Sequence, residues 1–245
     1  MIFGCKTDKF TPLILIMIAK NLQTLRNRID QICSKINRDS TSVKLIAVSK
    51  SFGVDEIKQA IQSGQMEFGE NKAQELAAKF DIFGNQVVWH LIGHLQKNKV
   101  KYAVKTADYI HSVDSFSLAE EIQKYAEKLG KIQKILIQVK TSEEETKSGV
   151  TEKEEIKEIA KYCSKASNLN LIGLMTIAPL TEDKNLIRKS FNYLCKLKEE
   201  LNSEGYGLKE LSMGMTSDHE IAIEEGATML RIGSAIFGER IYNKE

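Results

Sequence analysis

Proline and cysteine are both scarce in this 245-residue chain, and neither sign of charge prevails. The two prolines, Pro12 and Pro179, leave the loops proline-poor. The four cysteines, Cys5, Cys33, Cys163 and Cys195, are widely spaced, with no CxxC pair and no Cys/His cluster. That spacing argues against a disulfide framework or a zinc site and fits reduced thiols in a cytoplasmic protein. Thirty-five basic and 33 acidic residues leave a formal charge of +2, which gives no reason to expect nucleic acid or an anionic membrane as partner. Long apolar runs are missing too. The stretch 12–19 is only eight residues long, too short for a bilayer, and no small-residue cleavage site follows it to make a signal peptide. No Gly-rich nucleotide loop follows the first strand-like run, since Ser49-Lys50-Ser51-Phe52-Gly53 fits neither GxGxxG nor a Walker pattern.

What is present is an ordinary globular composition, 42% hydrophobic and 28% charged, in a chain long enough for one sizeable core. Residues 1–15 read as an N-terminal extension, with Met17 as an alternative start, and 16–245 as one domain. Apolar residues at helical spacing over 19–37 (Leu22, Leu25, Ile29, Ile32 or Cys33, Ile36) predict an extra helix before the first strand. Strand-like stretches then follow at 43–49, 66–68, 87–92, 109–113, 135–139, 169–175, 211–215 and 229–232. Helical patterns separate them at 54–62, 72–80, 95–105, 117–129, 152–166, 185–201 and 219–225. Ser115 or Ser117, Thr151 with Glu154, and Ser217 or Asp218 are the expected helix caps. Eight βα units with near-continuous apolar strands predict a parallel α/β sheet closed into a (β/α)8 TIM barrel, with a doubly wound open sheet as the competing architecture.

In such a barrel the active face lies at the C-terminal strand ends. The first strand-like run leads into Lys50, in phase with Ile46 and Val48. A lysine at an apolar mouth is costly to desolvate as an ammonium, and a neutral amine attacks aldehydes; a strand-end lysine reaching solvent is the alternative. The eighth ends in Arg231-Ile232-Gly233-Ser234 and a short helical turn, which suits a phosphate, as do the hydroxyls of Ser212, Thr216, Ser217 and Ser234. A glycine turn with a capping serine would look the same. His90 and His111, inside strands, read as core histidines, and His94 and His219 as caps or rim residues. No histidine pair has metal-ligand spacing, and Glu143-Glu144-Glu145 and 152–158 read as solvated charge.

Taken together, several ordered blocks carry a resemblance. They are Leu45-Ile46-Ala47-Val48-Ser49-Lys50, Phe68-Gly69-Glu70-Asn71, and the run from Trp89 through Gly93-His94 to Lys99. Lys147-Ser148-Gly149, Gly173-Leu174-Met175, Leu211-Ser212-Met213-Gly214-Met215 and Arg231 to Gly238 complete them. From about Met17 to Arg240 the chain resembles the pyridoxal phosphate homeostasis protein family. The resemblance implies a barrel of the alanine racemase type (fold type III of pyridoxal phosphate proteins), with the cofactor held covalently as a Schiff base on Lys50. It also implies Arg231 near the pyridine nitrogen, Gly233, Ser234 and the Thr216 region around the phosphate, and Ser212 and Asn71 lining the pocket. Where the family usually has serine after Met-Gly-Met, this chain has Thr216 followed by Ser217, so either hydroxyl is a candidate phosphate donor.

The function so implied is vitamin B6 homeostasis without catalysis: a monomer or weak dimer in the cytoplasm, binding pyridoxal phosphate and handing it transiently to apoenzymes. An amino-acid racemase is the alternative. Racemisation needs acid–base groups on both faces of the substrate adduct. Alanine racemases supply one from a second, β-rich domain, for which no segment is expected after the eighth unit; Lys50 would serve one face only.

Overall fold

The computed structural model describes residues 11–142 and 148–238, so residues 1–10 of the expected extension and the stretch 143–147, with Glu143-Glu144-Glu145 and Lys147, lie outside the described residues. Helix α1 (Thr11–Lys35) begins earlier than its periodic pattern and buries Leu22, Leu25, Ile29, Ile32 and Cys33, while Ile36 lies beyond it and is exposed. Then come β1 (Lys44–Val48), α2 (Val54–Gln62), β2 (Glu67–Glu70), α3 (Ala73–Phe83), β3 (Val88–Leu91) and α4 (Val100–Thr106). They are followed by β4 (Tyr109–Val113), α5 (Phe116–Lys128), β5 (Gln133–Gln138), α6 (Lys153–Lys165) and β6 (Leu169–Met175). The chain continues through α7 (Lys184–Ser203), β7 (Glu210–Ser212), α8 (His219–Glu224), β8 (Met229–Ile232) and α9 (Ser234–Phe237).

The eight strands pair in parallel in sequence order, and β8 closes on β1 through Lys44↔Met229 to Ala47↔Ile232. The sheet is therefore a closed barrel, which removes the open-sheet alternative and leaves no free edge. Helices cover it because each carries one apolar face. In α5, for instance, Leu118, Ala119, Ile122 and Ala126 are buried, and Ser115 Oγ caps the helix by accepting from the Leu118 N–H at 3.3 Å. The cap of α6 is Glu152 rather than Thr151, and Asp218 rather than Ser217 precedes α8. The expected helix 95–105 splits into a 3₁₀ turn at Lys97–Lys99 and α4.

The larger core lies between strands and helices, and a second, smaller one inside the barrel holds Ile46, Leu136, Met175 and Met229. Helix α1 packs against α2, α8 and α9 on the side where β8 meets β1. Among the described residues no helix is long and apolar enough to cross a membrane. The described cysteines, Cys33, Cys163 and Cys195, are free thiols.

Candidate functional site

A cavity of about 790 Å³ opens at the C-terminal ends of the strands. Lys50, Asn71, Thr216, Ser217, Arg231, Gly233 and Ser234 all line it. Closure of the barrel brings these together from the ends of β1, β2, β7 and β8, since β8 and β2 are the neighbours of β1. Lys50 stands two residues past β1, in a turn where Ser51 adopts φ +69°, and shares the cavity wall with Val48. Ser212 differs from expectation. It lies fully buried beneath the cavity floor, where its Oγ accepts from an Arg231 N–H at 2.7 Å and meets His111 Nδ1 at 2.8 Å.

Arg231 is the floor of the cavity. Its second guanidinium arm donates to the Thr176 carbonyl at 2.8 Å, so two fixed partners set the plane of the group. Burial pulls its pKa down to about 10, against the nearby charge of Asp218, and the guanidinium remains cationic at neutral pH. Asp218 in turn accepts from the Met215 N–H, which tightens the loop after β7. Burial raises the Asp218 pKa, opposed by that hydrogen bond and by Arg231.

The hydroxyl cluster joins that loop, through Thr216 and Ser217, to the start of α9 at Ser234. Ser234 Oγ donates to Thr216 Oγ1 at 3.1 Å, and the Thr216 carbonyl accepts from His219 Nδ1 at 3.0 Å. Thr216 is thereby joined to Ser234, whereas Ser217 lines the cavity beside them. Gly233 precedes α9, and its carbonyl accepts from the Ile236 and Phe237 N–H groups at 2.9 and 3.0 Å. Asn71 packs so closely on Gly93 that a Cβ at Gly93 would lie 2.3 Å from the Asn71 carbonyl oxygen.

Sequence reading missed several wall residues. Phe52 stacks on Phe237 with centroids 4.8 Å apart, and Ile92, Gln138, Ile177, Met215 and Gly238 also line the cavity. His94 is a rim residue, bonded through Nδ1 to Asp114 at 3.1 Å. Ser148 lines the cavity, and its carbonyl accepts from Gln138 Nε2 at 2.8 Å. Only the position of Gln138 and Ile177 near the ends of β5 and β6 could have flagged them. Among the described residues no group of three or more His, Cys, Asp or Glu could hold a metal ion.

The family model described as "Alanine racemase, N-terminal domain" matches residues 20–241. The pyridoxal phosphate homeostasis protein of Aquifex aeolicus is 41% identical over 225 residues, 91% of this chain and 98% of that protein. That of Vibrio alginolyticus is 39% identical, over 92% of this chain and 99% of its own length. Among solved structures, PipY of Synechococcus elongatus with PLP bound superposes with TM-score 0.79 at 36% identity, covering 90% of this chain and 100% of that one. An alanine racemase of Clostridium difficile shares the fold at TM-score 0.73, but it is 16% identical, and the alignment covers 58% of the racemase and 93% of this chain. With a barrel of this type, a matching family model and relatives of this identity along most of its length, the chain belongs to the pyridoxal phosphate homeostasis protein family.

Proposed function

We propose that this protein binds pyridoxal 5'-phosphate in the cavity, as a Schiff base on Lys50, and holds it for intracellular vitamin B6 balance without catalysing a reaction on it. The observation that carries the reading is convergence: Lys50, the Thr216, Ser217 and Ser234 hydroxyls and Arg231 face one cavity. The donor set fits the group. Lys50 supplies an amine for the aldehyde, the hydroxyls and the start of α9 supply donors for a phosphate, and Val48, Ile92 and Ile177 supply apolar walls for a flat ring. The names of the relatives and the PLP-bound PipY structure support the same ligand.

When bound, pyridoxal phosphate supplies a reversible aldehyde trap and a ring able to accept electrons. Thr216, Ser217, Gly233 and Ser234 would hold the phosphate, Asn71 would line the pocket, and Arg231 would face the pyridine nitrogen. Arg231 keeps its charge and spends two donors on Ser212 and Thr176, so it offers that nitrogen a fixed cation rather than a proton. The same reading takes residues 16–245 as the functional domain and 1–15 as an extension, a boundary that helix α1 (Thr11–Lys35) crosses. Transient transfer to apoenzymes, a cytoplasmic location and a monomeric or weakly dimeric state belong to the same reading.

The competing racemase reading is separated by incubating the loaded protein with L- and D-amino acids in deuterated water. The expected outcome is α-proton exchange no faster than with free pyridoxal phosphate. Rapid exchange with racemisation overturns the non-catalytic reading.

A further inference from the structure

Four hydrogen bonds run in series through the barrel interior. Arg231 donates to Ser212 Oγ at 2.7 Å, Ser212 Oγ meets His111 Nδ1 at 2.8 Å, His111 Nε2 meets His90 Nδ1 at 2.8 Å, and His90 Nε2 meets Glu67 Oε2. Both rings and Ser212 are fully buried, whereas the Glu67 side chain, at the N-terminal end of β2, keeps 27% exposure. The line thus connects the end of the barrel away from the cavity to the cavity floor.

Its direction follows from counting protons. Arginine only donates and an ionised carboxylate only accepts, so the two ends are fixed. Burial opposes ionisation of Glu67, but the His90 hydrogen bond and the charges of Lys44 and Lys134 hold its pKa below the usual range. His90 Nε2 therefore carries a proton for Glu67. If His90 is neutral, its Nδ1 accepts from His111 Nε2–H, His111 Nδ1 accepts from the Ser212 hydroxyl, and every polar hydrogen along the line has an acceptor. If the rings run the other way, His111 and Arg231 both donate to Ser212 Oγ and the Ser212 hydroxyl hydrogen loses its place in the line. Buried polar groups are satisfied, which selects the first arrangement. Burial, with the charges of Arg231 and Lys44 adding to it, also keeps His111 neutral.

We propose that Glu67, His90 and His111 are positioning residues that act on Arg231 through Ser212, by fixing one histidine tautomer along a single donor direction. The surroundings agree from each neighbouring strand. On β4 the Tyr109 ring stacks on His90 at 4.5 Å and 8°. On β5, Lys134 Nζ donates to the Tyr109 hydroxyl at 3.3 Å, and on β1, Lys44 pairs with Glu210 of β7. The cations nearest His111, Arg231 and Lys44, disfavour a charge on its ring. The inference deepens the proposed function by naming what aims the guanidinium beneath the ligand.

Nitrogen-15 NMR of the histidine-labelled protein without ligand tests it. The expected wild-type result is a single His111 tautomer, protonated at Nε2 and bare at Nδ1. A proton on His111 Nδ1 overturns the proposal. In Glu67→Lys the residue at 67 only donates, so His90 and then His111 reverse, and His111 is expected to carry its proton on Nδ1. An unchanged His111 in the folded variant overturns the proposal. Should that variant not fold, Glu67→Gln, whose amide oxygen still accepts from His90 Nε2–H, is expected to keep the single His111 tautomer protonated at Nε2, and a proton on His111 Nδ1 in that variant overturns the proposal. Adding pyridoxal phosphate is a separate readout. Failure to bind it defeats the proposed function while leaving the tautomer result standing.

Discussion

Lys79 Nζ donates to Glu70 Oε1 at 2.7 Å, and the two side chains keep only 9% and 0% exposure. Lys79 also donates to the Ser49 carbonyl at 2.8 Å and to Glu75 Oε1 at 2.9 Å, while Ser49 Oγ donates to Glu70 and the Ser51 N–H donates to Glu75. The residues on both sides of Lys50 are therefore tied to one acid–base cluster, which holds the turn that carries it. Removing one partner of a buried pair leaves the other charge uncompensated, at a typical cost of about 3–5 kcal/mol. Lys79→Met is expected to lose stability of that order in urea denaturation above pH 7, where Glu70 is ionised; a loss under about 1 kcal/mol there would show that the cluster contributes little.

Glu70 gives the stability a pH dependence. Burial, only partly offset by Lys79 and Ser49, pushes its pKa up from 4.5 to about 7. Between these values the folded state holds a proton that the unfolded state has lost, so this group's contribution falls as pH rises, by up to about 1.4 kcal/mol per unit. Below that window the group contributes no difference. Unfolding free energies compared from pH 4.5 to 7.5 should show this decline in wild type and its absence in Glu70→Gln. Equal pH slopes would contradict it.

Gly93 and Gly173 separate a site effect from a fold effect. A Cβ at Gly93 would lie 2.3 Å from the backbone oxygen of Asn71, and one at Gly173 would lie 2.0 Å from that of Glu210. Both alanine variants must displace backbone and should lose about 1–3 kcal/mol of stability, as overpacked sites do. Only Gly93→Ala moves a cavity residue, so it alone should also weaken pyridoxal phosphate binding at a temperature where both variants remain folded. Equal binding by the two would place Asn71 outside the ligand's reach.

The hydroxyl pair makes a ligand-specific prediction. A hydrogen bond to a charged group contributes about 1.5–3 kcal/mol, or roughly tenfold and more in affinity. Ser234→Ala and Thr216→Ala should therefore weaken pyridoxal phosphate by about tenfold or more and leave the far weaker binding of unphosphorylated pyridoxal nearly unchanged. Parallel titrations by fluorescence decide it. Equal losses for both ligands would mean that these hydroxyls do not hold the phosphate.

Much of this was legible in the sequence because a barrel repeats one local signal. Every βα unit shows its own period, and the strand ends name the cavity residues in order. Boundaries were less legible where a turn interrupts an apolar run: β7 stops at Ser212, short of the expected 215, and Gly214 just beyond it turns at φ +92°. The family resemblance put Ser212 in the pocket lining, yet its side chain is fully buried and spent on Arg231 and His111, contacts that only barrel closure creates. Lys79 on α3 reads as one more helix lysine; only packing sets it against Ser49 and Glu70. The line from Glu67 to Arg231 joins β2, β3, β4, β7 and β8, and no local pattern announces contacts made by closing a barrel.

The bond between Lys50 and the ligand is tested most directly by trapping it. The protein is loaded with pyridoxal phosphate, reduced with borohydride, digested and mapped by mass spectrometry, alongside Lys50→Ala. The expected result is a single phosphopyridoxyl adduct on Lys50 and a variant that lacks both the adduct and the visible imine band. An unmodified Lys50 in a protein labelled at another lysine, or an imine band that survives in Lys50→Ala, would contradict it.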